Sequence, residues 1–151
     1  MAATSFNERL KDLLLWENLS ESTLAKKTGL PLKSVLHWTR GEYYPTVENL
    51  LVLSAYFRVS ADCVLGLSDD FTQKKEGKSY PIKSAQEALI RHLIAYKKTR
   101  NCTFYRLAKD LGIGQSALSR WFNEGSMPET AMLIKISALL GRSIEELLGI
   151  K

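Results

Sequence analysis

Leu24-Ala25-Lys26-Lys27-Thr28-Gly29 and Leu107-Ala108-Lys109-Asp110-Leu111-Gly112 lie 83 positions apart in one chain of 151 residues. Working outward at that offset, residues 2–68 overlay 85–151 without a gap. Identities include Trp38/Trp121, Pro45/Pro128, Leu50/Leu133, Ser54/Ser137, Ser60/Ser143 and Leu65/Leu148. Apolar residues face one another at Phe6/Leu89, Leu30/Ile113, Val35/Leu118, Leu53/Ile136 and Phe57/Leu140. A chance overlay does not hold Gly, Trp and Pro in one frame. The chain therefore reads as two copies of one domain, residues 1–68 and 85–151, with residues 69–84 as a linker.

The apolar spacing within each copy is helical. Phe6, Leu10, Leu13 and Leu14 recur on one helix face. Ser20 is placed to N-cap a second helix carrying Leu24 and Ala25, and Gly29 to end it in the left-handed conformation. A third helix is expected over 32–39. Pro45-Thr46 opens a fourth with Leu50, Leu53, Ser54 and Phe57 inward, and Ser60 caps a short fifth through Leu65. In the second copy Ser143-Ile144-Glu145-Glu146 spells a capping box. No stretch alternates with period two for long enough to make a strand. The expected fold is all-α, two five-helix domains in tandem. The linker, Asp69 to Pro81 and beyond, is polar and basic. About 15 free residues span roughly 20 Å on average and about 50 Å when stretched. Phe71 and Tyr80 are its two aromatic residues, and docking of either onto a domain would stiffen it.

Composition narrows the function classes. The chain is 45% hydrophobic and 25% charged, which excludes wholesale disorder and collagen-like or mucin-like chains. No apolar run approaches the roughly 18 residues that span a bilayer, and the first residues do not read as a signal peptide. Cys63 and Cys102 fit reduced thiols, so a cytoplasmic protein is expected. The net charge of +5 is compatible with nucleic acid. It is unevenly divided: seven basic and seven acidic side chains in 1–68, against ten and six in 85–151.

Helix, short turn containing Gly, helix is the helix-turn-helix pattern. The residues around it resemble the lambda-repressor/Cro-like, or XRE, family. These are Ser20 to Leu30, Trp38 to Gly41, Pro45 to Leu51 and Val59-Ser60 in the first copy. In the second they are Thr103 to Ile113, Leu118 to Trp121, Gly125, Pro128 and Gly141 to Leu148. The resemblance implies a lambda-repressor-like domain whose second helix buttresses a third that enters the major groove of double-stranded DNA. Its expected role is a bacterial or phage transcriptional repressor or regulator.

On the third helix of the second copy, Gln115, Ser116, Ser119 and Arg120 form the polar face, with Leu118 and Trp121 inward. Gln suits adenine, Arg guanine and Ser either. Lys97, Lys98, Arg100 and Arg106 are the expected phosphate footprint. The matching stretch of the first copy offers Lys33, His37 and Arg40 as polar contacts, but Leu32 and Leu36 stand where Gln115 and Ser119 do. Two positions depart from the family pattern. Pro31 and Gly114 replace the common Ser or Thr cap, and Glu21 and Phe104 replace a Gln that touches phosphate. Leu13 to Trp16 is apolar all round the helix, so Leu15 and Trp16, with Leu32 and Leu36, are candidates for a homodimer or protein-partner surface. Packing of Leu15 and Trp16 onto the linker or the other copy is an equal alternative. An antitoxin-like role for the first copy would follow from a partner surface.

Other signals point nowhere. Gly112-Ile113-Gly114-Gln115-Ser116-Ala117 spells a dinucleotide string but follows a helix rather than a strand. His37 and His92 are distant in sequence, and neither they nor the cysteines have metal-ligand spacing. Trp38 and Trp121 repeat in register and read as core. No cofactor is expected, and no nucleophile–base pair or phosphate loop suggests an enzyme.

Overall fold

The computed structural model describes residues 4–77 and 80–150. Residues 1–3 and 151, at the outer ends of the two expected domains, and 78–79, in the expected linker, lie outside it. The chain divides into two compact units, one through residue 79 and one from residue 80. The described residues form ten helices and no strand.

In the first unit the helices are α1 (Phe6–Trp16), α2 (Glu21–Thr28), α3 (Leu32–Thr39), α4 (Val47–Phe57) and α5 (Ala61–Val64). Their ends follow from local chemistry. The hydroxyls of Ser20, Thr46 and Ser60 accept from the backbone N–H three residues on, satisfying a donor that the first helical turn leaves orphaned. Gly29 closes α2 at φ +76°. α3 packs on α1 and α2, and α5 closes the bundle against α1 and α4. Leu10, Leu13, Leu24, Val35, Trp38, Leu50, Leu53 and Phe57 are buried between them.

The second unit repeats the plan with α6 (Ile82–Arg100), α7 (Phe104–Leu111), α8 (Gln115–Glu124), α9 (Thr130–Leu140) and α10 (Ile144–Leu147). The capping box at Ser143 and Glu146 is complete. There the backbone N–H of Ser143 is the main group holding the Glu146 carboxyl below its ordinary range, with the Ser143 hydroxyl and Arg142 adding to it. Leu89, Leu93, Leu107, Leu111, Leu118, Leu133 and Ile136 fill the core. α6 is 19 residues long against 11 for α1. The added turns lie ahead of Leu89, which aligns with Phe6 at the start of α1, and take in Ile82, Lys83 and Ser84, which the sequence places in the linker.

Residues 68–77 make a strap on the first unit. The guanidinium of Arg9, a side chain only 2% exposed, donates to the carbonyl oxygens of Cys63 (2.6 Å) and Ser68 (2.7 Å) and to the Asp69 carboxylate (2.5 Å). Phe71 covers Arg9 at 4.6 Å and meets Trp16 edge-on at 5.6 Å between ring centroids. Farther on, Gln73 Nε2 donates to the Phe57 carbonyl and the Lys74 N–H to that of Arg58. Tyr80 belongs to the second unit, its hydroxyl donating to the Gly149 carbonyl at 3.0 Å. These contacts tie down much of the stretch that the sequence alone reads as a free linker. Sequence periodicity misses it because the strap has no regular structure. Its anchor is a buried charge that aligns with His92.

Two glycines separate backbone strain from crowding. Gly29 and Gly66 both have positive φ, but a Cβ on Gly29 meets nothing, whereas one on Gly66 runs into the Thr4 carbonyl. Gly29→Ala should therefore lower stability by about 1 kcal/mol, the left-handed penalty alone. Gly66→Ala should lower it by at least about twice that. Urea denaturation of the two variants gives the comparison, and equal midpoints would contradict it.

Candidate nucleic-acid interface

Thr103 N-caps α7, Gly112 ends it at φ +69°, and α8 follows after two residues. α8 seats Leu118 and Trp121 in the core, which turns Gln115, Ser116, Ser119 and Arg120 outward, all four exposed. The same face continues to Asn123, whose side-chain amide donates to Ser119 Oγ at 2.9 Å, and to Phe122. Asn123 is not among the residues expected from the sequence, although the step of four from Ser119 points to it. At the start of α7, Phe104 stands edge-on to Phe122, with centroids 4.9 Å apart and planes at 87°. Lys97 Nζ lies 5.1 Å from the Phe104 ring centre. The two rings, Gln115, Ser116, Ser119 and Asn123 line one open hollow of about 420 Å³.

The far end of α8 is held by a residue the sequence did not single out. Gln86, on the added turns of α6 and only 8% exposed, donates from Nε2 to the carbonyls of Trp121 (2.7 Å) and Ser126 (3.3 Å). Trp121 O is among the last carbonyls of α8, which have no partner within the helix. The repeat could not reveal this role because Ala3 aligns with Gln86. The available signal was a polar side chain among Ala85, Ala88 and Leu89.

The other expected cations are placed variously. Lys98 is exposed near the end of α6, and the Arg100 guanidinium lies 5.5 Å from the centre of the Tyr96 ring. Arg106 Nε donates to Asp110 at 3.1 Å in an exposed pair one turn apart, which solvent screens.

The first unit presents a different surface. On α3, Leu32, Lys33 and the adjoining Arg40 are exposed, and Leu36 and His37 are half-buried. His37 is engaged within the unit: Nδ1 meets the Glu42 carboxylate and the ring stacks on Tyr43 at 5.1 Å. Glu21 accepts a hydrogen bond from Thr39 Oγ1. Glu21 and Thr39 align with Phe104 and Phe122, so the same two positions tie second helix to third in both units. One tie is a hydrogen bond and the other an aromatic pair. Pro31 and Gly114, ahead of α3 and α8, make no side-chain cap bond. Leu15 is 82% exposed at the end of α1, while Trp16 is half covered by Phe71.

Among the described residues no helix is long and apolar enough to cross a membrane, and no cluster of His, Cys, Asp and Glu could hold a metal. Burial pushes the Cys63 thiol above its ordinary pKa, an effect that Arg9 partly offsets.

Two five-helix units, each with a short turn between its second and third helices, define a tandem helix-turn-helix protein. The helix-turn-helix family matches twice, at residues 10–62 and 94–147, and the chain belongs to that family, in its XRE type. Among curated relatives, it is 33% identical over 60 residues to the HTH-type transcriptional activator BcrR of Enterococcus faecalis. That match covers 40% of this chain and 29% of BcrR. It is 32% identical over 92 residues to the HTH-type transcriptional regulator YobD of Bacillus subtilis, covering 61% of this chain and 80% of YobD. The chain thus spans less than a third of BcrR. No solved structure matches.

Removing the Gln86 amide takes the side-chain donor from the buried Trp121 carbonyl near the end of α8. Gln86→Ala should destabilise the second unit by about 1–3 kcal/mol, the usual cost of an orphaned buried polar group. Hydrogen exchange of the last turn of α8 should accelerate with it. Unchanged exchange there would assign Gln86 to packing alone.

Proposed function

We propose that the protein regulates transcription by binding double-stranded DNA, with the second unit as the stronger reader and the first contributing a weaker, different contact. The supporting observation is the exposed row Gln115, Ser116, Ser119 and Arg120 on a helix whose opposite side is anchored by Leu118 and Trp121. Donors and acceptors projecting from such a helix match the edges that base pairs present in the major groove. The charge excess of residues 85–151 favours phosphate, and Lys97, Lys98, Arg100 and Arg106 supply it. BcrR and YobD are named as transcriptional regulators, which agrees with this reading.

Two unlike reading helices on one chain call for an asymmetric two-part site. Family dimers read half-sites about 34 Å apart. Tethering both readers raises the local concentration of the second once the first is bound. Repression follows where such a site overlaps a promoter. A reporter carrying the selected site fixes the sign, and activation would reverse that assignment.

A second reading has its own support in the first unit. His37 is engaged by Glu42 and Tyr43, while Leu15 and Leu32 stay exposed. In that reading Leu15, Trp16, Leu32 and Leu36 make protein contacts, and only α8 reads bases. Concentration-dependent mass separates the two. A monomer at micromolar concentration supports the tandem reader, and a firm dimer supports the protein-contact module.

Selection of sites from a random duplex library by the full chain, at near-physiological salt, tests the main reading. An asymmetric two-box motif of fixed spacing is expected. A palindrome or a single short box transfers support to the second reading, and no enrichment removes sequence-specific regulation. On the selected site Arg120→Ala should weaken binding by about 1–3 kcal/mol and relax one base position. Equal weakening on every sequence would make Arg120 a phosphate contact.

A further inference from the structure

The hollow beside α8 has an apolar wall that base hydrogen bonding does not use. Phe104 comes from the first turn of α7 and is 44% exposed, and Phe122 comes from the reading helix itself. Their edge-to-face contact ties the rings together and leaves Phe104 exposed and Phe122 half-buried. Gln115, Ser116, Ser119 and Asn123 line the same space, so a group entering it meets hydrogen-bonding side chains and aromatic carbon together. Lys97 sits over the Phe104 ring, placing positive charge at the rim. Polar edge groups, one small apolar surface and a cation beside them correspond to a base edge next to a backbone phosphate. In the major groove the apolar element is the 5-methyl group of thymine. Besides tying α7 to α8, the pair is incompletely buried, and both rings line the hollow with Gln115 and Ser119.

The geometry points to Phe104 and Phe122 as the seat for a thymine 5-methyl group, making Phe104 a specificity-determining residue of the second unit. The inference rests on the DNA-binding reading above. The first unit has no such seat, because Glu21 and Thr39 occupy the two aligned positions and pair with each other through a hydrogen bond. The two units therefore differ in the base they accept at equivalent places, over and above the differences on α3 and α8.

The test uses the full chain and the selected duplex, with each thymine of the box read by the second unit replaced in turn by deoxyuridine. The substitution removes only the methyl group. One position should lose about three- to five-fold in affinity, the scale of one buried methyl group. Phe104→Ala should bind the thymine and uracil duplexes equally, whereas Phe104→Leu, which keeps an apolar wall, should retain part of the preference. Far-ultraviolet circular dichroism of both variants establishes that they fold, and an unfolded Phe104→Ala leaves Phe104→Leu and a Phe122→Leu variant to make the comparison. Binding with no uracil-sensitive position overturns the methyl seat and leaves DNA recognition standing. A preference that Phe104→Ala retains overturns the assignment to this residue. Absence of any selected duplex removes both readings together.

Discussion

Each third helix, α3 and α8, turns one large aromatic ring into the core, and the packing of each unit depends on burying it. Trp38 on α3 is 1% exposed and Trp121 on α8 is 6% exposed. A buried Trp fixes both the rotation and the depth of its helix, since interiors are packed too tightly to let so large a ring turn. With the ring inward, the residues two before and one before it are exposed in the second unit, Ser119 and Arg120, and half-buried in the first, Leu36 and His37. Phe6 meets Trp38 edge-on at 6.5 Å, and Gln86 holds the backbone at Trp121. The two units thus seat the same ring with different supports.

That shared seat allows the outer surfaces to diverge. Around α8 the exposed side chains are amide, hydroxyl and guanidinium, and the neighbouring helices add cations. Around α3 the aligned positions are leucine, lysine, leucine and a histidine engaged by Glu42. The tie between second and third helix also changed character, from Glu21–Thr39 to Phe104–Phe122, while both helices start at aligned positions. One backbone plan therefore carries two surfaces of different chemistry.

The strap over residues 68–77 follows from another buried group. Arg9 is nearly inaccessible, and a guanidinium in that position is tolerable only with several acceptors. Two come from carbonyls at Cys63 and Ser68 and a third from Asp69, so solvating the charge internally draws in the chain that leaves α5. Phe71 then closes over the guanidinium and half-covers Trp16. The apolar end of α1 is in this way partly satisfied by the protein's own chain, leaving Leu15 as its open residue.

The repeat, the all-helical class, the helix ends at Ser20, Gly29, Thr46, Ser60 and Ser143, and the outward row on α8 were legible in the sequence. They depend on local spacing and on backbone donors that nearby side chains satisfy. The family resemblance added the expectation of a major-groove helix. Tertiary structure alone decided the rest. Gln86 reaches the end of α8 across 35 residues, Arg9 gathers the strap across 60, and Phe104 finds Phe122 across the turn. None of these pairings has a period or a short-range motif. Each arises because packing brings a buried polar or aromatic group to partners that the linear chain keeps apart.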